Sequence, residues 1–256
     1  MKRIGIVGMG YIGNAVKRFF CNHYEALCYD PNNIDSCTKA AINSCEVAFI
    51  TVPTPSRENG RCDTRIVEEV VDWIDTPLIV IKSTVEPGTT DRLTAKTGKR
   101  IVYCPEFISE STYYNPFFAK ELEEAPFYLF GGDKRDTREV IDYYLPIGGP
   151  TKKYVSAPAV DVELMKYVDN SFFAVKTAFF YEMAKIAEKL GTDWKEVREL
   201  LLLDPRIGPL HTAVFKDNET PFGGKCLPKD LLGLYAKGLE LGVISRTVMG
   251  AIRANH

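Results

Sequence analysis

A glycine-spaced turn near the N-terminus, Gly8-x-Gly10-x-x-Gly13, constrains the fold more than any other feature of this sequence. It follows the β-branched run at residues 2–7 and precedes a stretch of helical character that extends to about Cys21. In such a unit the first glycine permits a tight turn, the second lets a pyrophosphate approach the backbone, and the third lets the helix pack on the strand. The pattern therefore predicts a βαβ unit that binds a dinucleotide at a helix N-terminus.

An acidic residue, Asp30, follows the next predicted strand at residues 26–29. At that position a carboxylate accepts hydrogen bonds from the adenosine ribose and repels a 2′-phosphate, which favours NAD over NADP. The alternative is a glycine-rich turn beside an aspartate that serves only its own turn.

Apolar runs at helix-length intervals predict a parallel sheet. Further strands are expected at residues 47–52, 78–82, 101–103 and 127–130 and near Tyr154, with a helix at residues 66–73. Ligands of such sheets bind beyond the carboxyl ends of the strands. The polar residues at those ends are Asp30, Thr54, Ser83, Thr84 and Glu106.

Residues 160–190 contain neither glycine nor proline and end at Gly191, which predicts one long helix. Its apolar residues are too many for a single buried face, so we expect burial on more than one side, including against a partner subunit. The sequence thus predicts an α/β protein: a Rossmann-type parallel-sheet domain at residues 1–155, then a mainly helical domain at residues 156–256 with a long central helix.

Lys166 and Asn170 lie four residues apart on this predicted helix and therefore share one face. An asparagine beside a lysine on an otherwise apolar helix suggests that both point into a cleft. The alternative for Lys166 is a solvated surface side chain, the usual state of a lysine.

The sequence has seven cysteines, but no Cys-x-x-Cys pair and no cysteine–histidine cluster. Neither a zinc site nor a disulfide framework is expected. Cys226 alone has unusual neighbours: the pair Gly223-Gly224 precedes it, Lys225 and Lys229 flank it, and Pro228 suits the first position of a helix. The two glycines would let a substrate approach the backbone. A helix N-terminus with cationic neighbours stabilises a thiolate, although a structural cysteine beside a helix cap remains open.

Charge and hydropathy narrow the classes of partner. The net charge of −2 provides no strong attraction for nucleic acid or anionic lipid. No apolar stretch approaches the roughly 18 residues of a membrane helix. The apolar N-terminal run breaks at once into glycines, so we interpret it as a strand and expect a cytoplasmic protein.

Taken together, the motifs resemble the UDP-glucose/GDP-mannose dehydrogenase family, and the last two resemble its bacterial UDP-glucose 6-dehydrogenase branch. The matching runs occur in the family's order and span nearly the whole chain: Gly8-Met9-Gly10-Tyr11-Ile12-Gly13, Val52-Pro53-Thr54-Pro55, Lys82-Ser83-Thr84-Val85, Pro105-Glu106-Phe107, Lys166-x-x-x-Asn170, Asp204-Pro205-Arg206-Ile207-Gly208 and Gly223-Gly224-Lys225-Cys226-Leu227-Pro228-Lys229-Asp230.

The resemblance implies oxidation of a primary alcohol of a nucleotide sugar to a carboxylate, with two NAD reduced per product. Lys166 and Asn170 would hold the developing oxyanion. Asp230, with Lys166, would position water or act in acid–base steps. Cys226 would trap the aldehyde as a thiohemiacetal that is oxidised to a thioester.

Other roles also follow from the resemblance alone. Glu106, with Thr84, would assist the water that releases the acid. The implied cofactor contacts are Gly8, Gly10, Tyr11, Ile12, Gly13, Asp30, Pro53, Thr54, Thr84, Glu110 and Lys229, of which Glu110 and Lys229 lie near the nicotinamide. The implied substrate contacts are Glu106, Lys166, Asn170, Arg206 and Gly223. Arg206 would reach the substrate of a neighbouring subunit, so a homodimer through the long helix is expected. No metal is implied.

The sequence departs from the family's pattern in three places. Family members carry a third, C-terminal domain that grips the nucleotide, whereas this sequence ends at His256, about where the segment leading to that domain would begin. Residues 210–219 match the family poorly, and Lys225 replaces a usually uncharged residue. Two alternatives therefore stay open: a β-hydroxyacid dehydrogenase-like enzyme that makes one hydride transfer with Lys166 and Asn170, and a non-catalytic NAD-binding protein that serves as an assembly partner.

Overall fold

The computed structural model describes residues 1–108, 119–214 and 220–255. The chain forms two compact units. The first, here called the sheet unit, comprises Met1–Pro55 and Asp63–Lys166, and the second, the helical unit, comprises Ser56–Cys62 and Tyr167–His256. The segment at residues 56–62 therefore belongs structurally to the helical unit although it lies within the sequence of the first half.

The sheet unit contains a seven-stranded sheet. Its strands are β1 Arg3–Val7, β2 Glu25–Tyr29, β3 Val47–Ile50, β4 Ile79–Ile81, β5 Ile101–Tyr103, β6 Phe127–Gly131 and β7 Lys153–Ala157. They lie in the order β2-β1-β3-β4-β5-β6-β7. The first five in this order are parallel, whereas β6 runs antiparallel to β5 and parallel to β7. The expected Rossmann-type α/β fold is confirmed, with two reversed strands added at one edge.

Five helices of this unit cover the two faces of the sheet: α1 Tyr11–Phe20, α2 Lys39–Asn43, α3 Arg65–Trp73, α4 Thr89–Thr97 and α5 Lys134–Gly148. Alternate strand residues point to opposite faces. Val80 of β4 packs in the apolar cluster that holds residues of α1 and α5. Ile79 and Ile81 pack in the second cluster, with residues of α2, α3 and α4. Burial on both faces explains why these strands read as continuous apolar runs.

The helical unit is built around α6 Ala159–Lys189, a 31-residue helix whose first eight residues belong to the sheet unit. Gly191, at a φ of +76°, follows its end, as the sequence predicts. The other helices described are α7 Trp194–Leu201, α8 Cys226–Glu240 and α9 Arg246–Ala254. None of the helices in the described ranges has the length and apolar character that a membrane crossing requires.

Helix α8 begins two residues earlier than the sequence predicts. Pro228 occupies its third position rather than its first, and Cys226 is the first helical residue. The N–H groups of a first helical turn have no intrahelical partner, so proline is tolerated there without loss of a hydrogen bond. Cys226 therefore lies in the first turn of the helix itself.

A buried carboxylate on α6 caps helix α4. Glu163 is fully buried and accepts hydrogen bonds from the Gly88 N–H (2.5 Å), the Thr90 N–H (2.9 Å) and the Thr90 hydroxyl (2.6 Å). Burial is the largest influence on its pKa and outweighs these hydrogen bonds, so the pKa lies above the ordinary value of 4.5.

This shift predicts a specific pH dependence. Between pH 4.5 and the raised pKa, the folded protein binds more protons at Glu163 than the unfolded chain does, so this group's contribution to stability falls as pH rises. Glu163→Gln should lower the free energy of unfolding by about 1–3 kcal/mol, because one N–H then faces an amide NH₂. The deficit relative to the unmodified protein should narrow as pH rises through that window. Urea denaturation from pH 4.5 to 7 measures it, and a pH-independent deficit would contradict the assignment.

Candidate active site

The glycine turn between β1 and α1 has the geometry of a dinucleotide cradle. Gly8 adopts a φ of +93°, which favours glycine, and a Cβ on Gly13 would overlap the Gly8 carbonyl oxygen. A Cβ on Gly10, in contrast, would meet no protein atom within 4 Å in the described structure. Gly10 is thus dispensable for packing but leaves space at the N-terminus of α1, where a phosphate would bind. Of the two intervening residues, Tyr11 is exposed and Ile12 half-buried.

Asp30 lies directly after β2 and is held by its neighbours. Its Oδ2 accepts a hydrogen bond from the Met9 N–H (2.8 Å) and its Oδ1 accepts one from the Asn32 N–H (3.0 Å). Together with Asn14 and Ser36 it lines a cavity of about 320 Å³ beside the glycine turn. The carboxylate of Asp30 has further lone pairs that can accept hydrogen bonds from ribose hydroxyls. These residues therefore fit the adenosine half of NAD.

The ends of β3 and β4 are tied together by short polar side chains. The Thr54 hydroxyl is 2.8 Å from the Thr84 carbonyl oxygen, and the Ser83 hydroxyl is 2.6 Å from the Val52 carbonyl oxygen. Thr54 is buried, Thr84 is half-buried, and Pro53 is exposed. The polar residues that the sequence places after these two strands are thus hydrogen-bonded across them.

Glu106 and Lys166 meet within the sheet unit. The Lys166 ammonium donates to the Glu106 carbonyl oxygen at 2.7 Å and lies 3.9 Å from the carboxylate Oε1. It also lies 4.8 Å from the centroid of the Phe107 ring. Both polar side chains are largely buried. Lys166 is therefore not a solvated surface lysine, and it is paired with a carboxylate that the sequence had placed at a strand end.

A second polar cluster lies in the helical unit. The Asn170 amide donates to Asp230 Oδ2 at 2.5 Å, and the Lys229 ammonium donates to Asp230 Oδ1 at 2.5 Å. Asp230 is 1% exposed. Close approach of α8 to α6 depends on Gly233, since a Cβ there would lie 2.6 Å from the Tyr167 ring. A carboxylate this deep is stabilised only by such fully made hydrogen bonds and ion pairs.

Cys226 is exposed at the start of α8, after Gly224 with a φ of +76°. Gly223 is also exposed. Burial of Lys229 disfavours its charged form, but the charge of Asp230, and then those of Cys62 and Cys226, outweigh burial and raise the pKa of Lys229 above its ordinary value. The Lys229 ammonium therefore stays protonated.

Cys62 is a neighbour of this cluster that sequence reasoning missed. It is buried, and its segment belongs to the helical unit, where Gly60 packs against Leu232 of α8. Nothing in the local sequence distinguishes Cys62 from the other cysteines. Only the long-range packing of its segment brings it into the surroundings of Lys229.

The remaining predicted residues are not part of either cluster. Arg206 has an 86% exposed side chain and pairs with Asp204 at 2.6 Å. Glu110 lies outside the described residues. Within the described ranges, no group of three or more histidine, cysteine, aspartate or glutamate side chains is arranged to hold a metal ion.

The glycine turn, Asp30 and the sheet define a Rossmann-type dinucleotide-binding protein whose second, helical unit carries an exposed cysteine beside a buried carboxylate. The sequence profile of the UDP-glucose/GDP-mannose dehydrogenase NAD binding domain matches residues 28–141, and that of the family's central domain matches residues 161–256. The chain belongs to the UDP-glucose/GDP-mannose dehydrogenase family and carries its NAD-binding domain.

Individual relatives agree with this assignment. The chain is 31% identical over 242 residues to a UDP-glucose 6-dehydrogenase of Rickettsia bellii, covering 90% of this chain and 54% of that protein. A UDP-glucose dehydrogenase structure from Pyrobaculum islandicum matches with a TM-score of 0.83 and 27% identity, over 100% of this chain and 68% of that one. A GDP-mannose dehydrogenase structure from Pseudomonas aeruginosa matches with a TM-score of 0.70 and 25% identity, over 99% and 68%. The chain spans about half the length of the curated relatives it matches.

Proposed function

We propose that this chain acts as an NAD-dependent nucleotide-sugar 6-dehydrogenase, similar to UDP-glucose 6-dehydrogenase, that oxidises a primary alcohol to a carboxylate through a thioester on Cys226. The main observation behind the proposal is the set of polar and nucleophilic side chains that the helical unit contains. An exposed cysteine at a helix N-terminus shares that unit with the hydrogen-bonded Asn170, Asp230 and Lys229. A single hydride transfer between an alcohol and a carbonyl would need no such cysteine.

Lys166 and Asn170 are assigned to the oxidation steps. They stand one helical turn apart on α6 and so project from the same face. An ammonium and an amide N–H are both hydrogen-bond donors that stabilise negative charge on the oxygen from which a hydride is lost. When bound, NAD accepts that hydride. Asp230, which accepts a hydrogen bond from Asn170, is assigned to positioning water or to proton transfer.

Cys226 is assigned to trapping the aldehyde. Its sulfur forms a bond to the aldehyde carbon, the carbonyl oxygen takes up a proton, and a thiohemiacetal results. Loss of a second hydride and of the hydroxyl proton leaves a thioester. Water then adds to the thioester, the C–S bond breaks, and the acid and the free thiol are released. The overall balance is one alcohol, one water and two NAD⁺ converted to one carboxylate, two NADH and three protons.

Glu106 is assigned to the hydrolytic step, with Thr84. Lys166 holds the Glu106 backbone and lies 3.9 Å from its carboxylate, which keeps the carboxylate in place and largely out of water. A carboxylate held in this way is suited to take a proton from an attacking water. If Glu106 has this role, its substitution should slow the release of the acid more than it slows the formation of NADH.

NAD is assigned to the glycine turn, where Gly10 leaves room for the pyrophosphate and Asp30 is available to the ribose. Further contacts are proposed from Tyr11, Ile12, Gly13, Pro53, Thr54 and Thr84, with Glu110 and Lys229 near the nicotinamide. Gly223 and Arg206 are proposed to contact the sugar nucleotide. We also propose residues 1–155 as the NAD-binding domain and residues 156–256 as the central domain. The cytoplasmic location stays a prediction.

A homodimer through α6 is proposed because this helix exposes a heptad-spaced apolar stripe. Phe172, Phe179 and Ile186 are 58%, 52% and 52% exposed, and Val168 beside them is 49% exposed. Exposed apolar side chains at seven-residue intervals are typical of a helix that packs along another helix. A dimer would also allow Arg206 to serve the neighbouring subunit.

Phe172→Glu should therefore convert the protein to monomers, because a carboxylate would be buried without a partner in the interface. Light scattering after size-exclusion chromatography measures the mass. Leu241→Glu, at an apolar residue outside α6 that is 67% exposed, is the matched control and should leave the mass unchanged. An unmodified protein that is monomeric over the same range of concentrations would refute the dimer.

The function is tested by following NADH formation with UDP-glucose, GDP-mannose and a UDP-N-acetylhexosamine, and by counting NADH per acid formed. We expect two NADH per carboxylate with one of them. Absence of NADH with all three, from a protein that binds NADH, would refute the proposed activity for this chain.

A further inference from the structure

Lys82 is a buried lysine to which the reaction described above gives no role. It follows β4 and is 1% exposed. Its ammonium donates to the Cys104 carbonyl oxygen at 2.9 Å and to the Tyr144 hydroxyl at 3.3 Å, and it lies 3.7 Å from the Cys104 sulfur. Its hydrogen-bonding partners among the described residues are thus a carbonyl, a phenol and a thiol rather than a carboxylate.

Burial of an ammonium without a carboxylate is costly, because the lost hydration is replaced only by dipoles. Lysine is rarely found in such a site unless its charge is paired. A methionine or leucine would fill the same space beside Cys104 and Tyr144 without that cost. The volume of the Lys82 side chain therefore does not explain why a lysine occupies this site. The explanation must lie in what its ammonium group binds.

The carbonyl that Lys82 holds lies two residues before Glu106. Lys166 holds the carbonyl of Glu106 itself, at 2.7 Å. Two ammonium groups, one from the end of β4 and one from α6, thus bind the backbone at both ends of the segment Cys104–Glu106. Pro105 between them restricts the backbone further.

We propose that Lys82 is a positioning residue for Glu106, which it orients by holding the Cys104 carbonyl. This inference rests on the proposed role of Glu106 in thioester hydrolysis. Without the Lys82 anchor, the Cys104 carbonyl is no longer held. The Cys104 N–H still donates to the Ile81 carbonyl oxygen (2.8 Å) and Lys166 still holds Glu106, but the chain between them turns more freely and the carboxylate moves from the place where it activates water. A shift of about 1 Å in such a group lowers a rate by up to about a hundredfold. The oxidation steps use other residues, so the loss is confined to release of the acid.

The other charged or titratable groups around this segment are Lys166 of α6, Tyr144 of α5, Tyr128 of β6 and the Cys104 thiol. Burial raises the pKa of Tyr128 and Tyr144 above their ordinary values. Both phenols therefore stay neutral at physiological pH and do not compensate the charge of Lys82.

The chain offers a matched control in the same unit. Lys99 donates to the carbonyl oxygens of Val71 (2.7 Å), Asp72 (3.0 Å) and Ile74 (2.6 Å) at the end of helix α3. Like Lys82 it binds backbone carbonyls, but it holds no segment that carries a proposed catalytic group. Lys99→Met and Lys82→Met therefore remove the same kind of contact with different expected consequences.

The test compares the two variants with the sugar nucleotide that the unmodified protein oxidises. Lys82→Met should lower kcat about tenfold to a hundredfold, with KM for the sugar and Kd for NADH within about twofold. The thioester on Cys226 should then accumulate, visible as an intact-mass increase after acid quench. Lys99→Met should lower Tm without accumulation of the thioester. In a Glu106→Gln background, Lys82→Met should have no further effect on acid release.

The proposal is overturned if Lys82→Met matches Lys99→Met in kcat and in trapped thioester at equal folded fraction. If Lys82→Met does not fold, Lys82→Gln is used instead, because glutamine keeps a hydrogen-bond donor without the charge. Lys82→Gln should lower kcat less than about tenfold but measurably, and an unchanged kcat would overturn the proposal. Amide hydrogen exchange at Cys104, Glu106 and Phe107 separates this inference from the proposed function. Exchange should be faster in the Lys82 variant than in the Lys99 variant even if the unmodified protein forms no NADH, and equal exchange would overturn the proposal.

Discussion

Cys226→Ser is expected to abolish formation of the carboxylate, with a loss of at least about a thousandfold in kcat for the complete reaction. Serine cannot supply a thiolate, and a serine hydroxyl is a weak nucleophile unless an adjacent base activates it. The aldehyde formed in the first step would not be held for the second. Stopped-flow measurement of NADH, with product analysis, should show at most one slow hydride transfer and no acid.

Cys21→Ser is the matched control, since Cys21 is also an exposed thiol but lies in the sheet unit, where the hydrogen bonds described for its thiol go to Arg18 and Asn22. It should leave the rate and the stoichiometry unchanged. Turnover of Cys226→Ser at the unmodified rate with one NADH per substrate would instead support a β-hydroxyacid dehydrogenase-like reaction. NADH binding without turnover in any variant would support a non-catalytic role.

Two alanine substitutions in the glycine turn are expected to affect different properties, one the binding of NADH and the other the stability of the fold. Gly10→Ala should weaken NADH binding at least about tenfold, a cost of about 1.4 kcal/mol, because the methyl group occupies the space left for the pyrophosphate. The fold should be little affected, since no atom of the described residues lies within 4 Å of that methyl position and the φ of Gly10 is −73°. Its free energy of unfolding should change by less than about 1 kcal/mol.

Gly13→Ala should destabilise the fold itself, because the methyl group would overlap the Gly8 carbonyl oxygen and lie 2.9 Å from the Thr51 hydroxyl oxygen. Overpacking against backbone costs about 1–3 kcal/mol and occasionally more. Fluorescence titration with NADH and urea denaturation distinguish the two variants. If Gly10→Ala binds NADH as well as the unmodified protein does, the pyrophosphate does not bind at this turn.

The dinucleotide unit could be predicted from the sequence because its determinants are local. Gly8, Gly10 and Gly13 fall within one turn, and each acts on the backbone conformation or on clearance within a few residues of itself. The same holds for α6, where the absence of glycine and proline and the stop at Gly191 are properties of one segment. Strand bounds agreed with the structure to within one or two residues. For β3, β4 and β5 the reason is burial on both faces, which makes each a short continuous apolar run.

The reversal of β6 and β7 was not predictable from the pattern of apolar runs. A buried strand has the same apolar sequence whichever way it runs, so its direction is determined by its pairing with β5. The start of α8 at Cys226 has a related cause. Pro228 is compatible with several positions of a first helical turn, and the position used depends on how α8 packs against its neighbours.

The sequence by itself determined the class of fold and the cofactor turn and singled out Cys226 among the cysteines, because these depend on spacing along the chain. Only the tertiary structure decided the partners of the buried charges. Glu106 with Lys166, Asp230 with Asn170, and Lys82 with Cys104 are separated by at least 22 residues along the chain. The sequence does not distinguish a buried lysine such as Lys82, which is 1% exposed, from a solvated one. Their difference arises from desolvation, which exists only once strands and helices have packed around the charge.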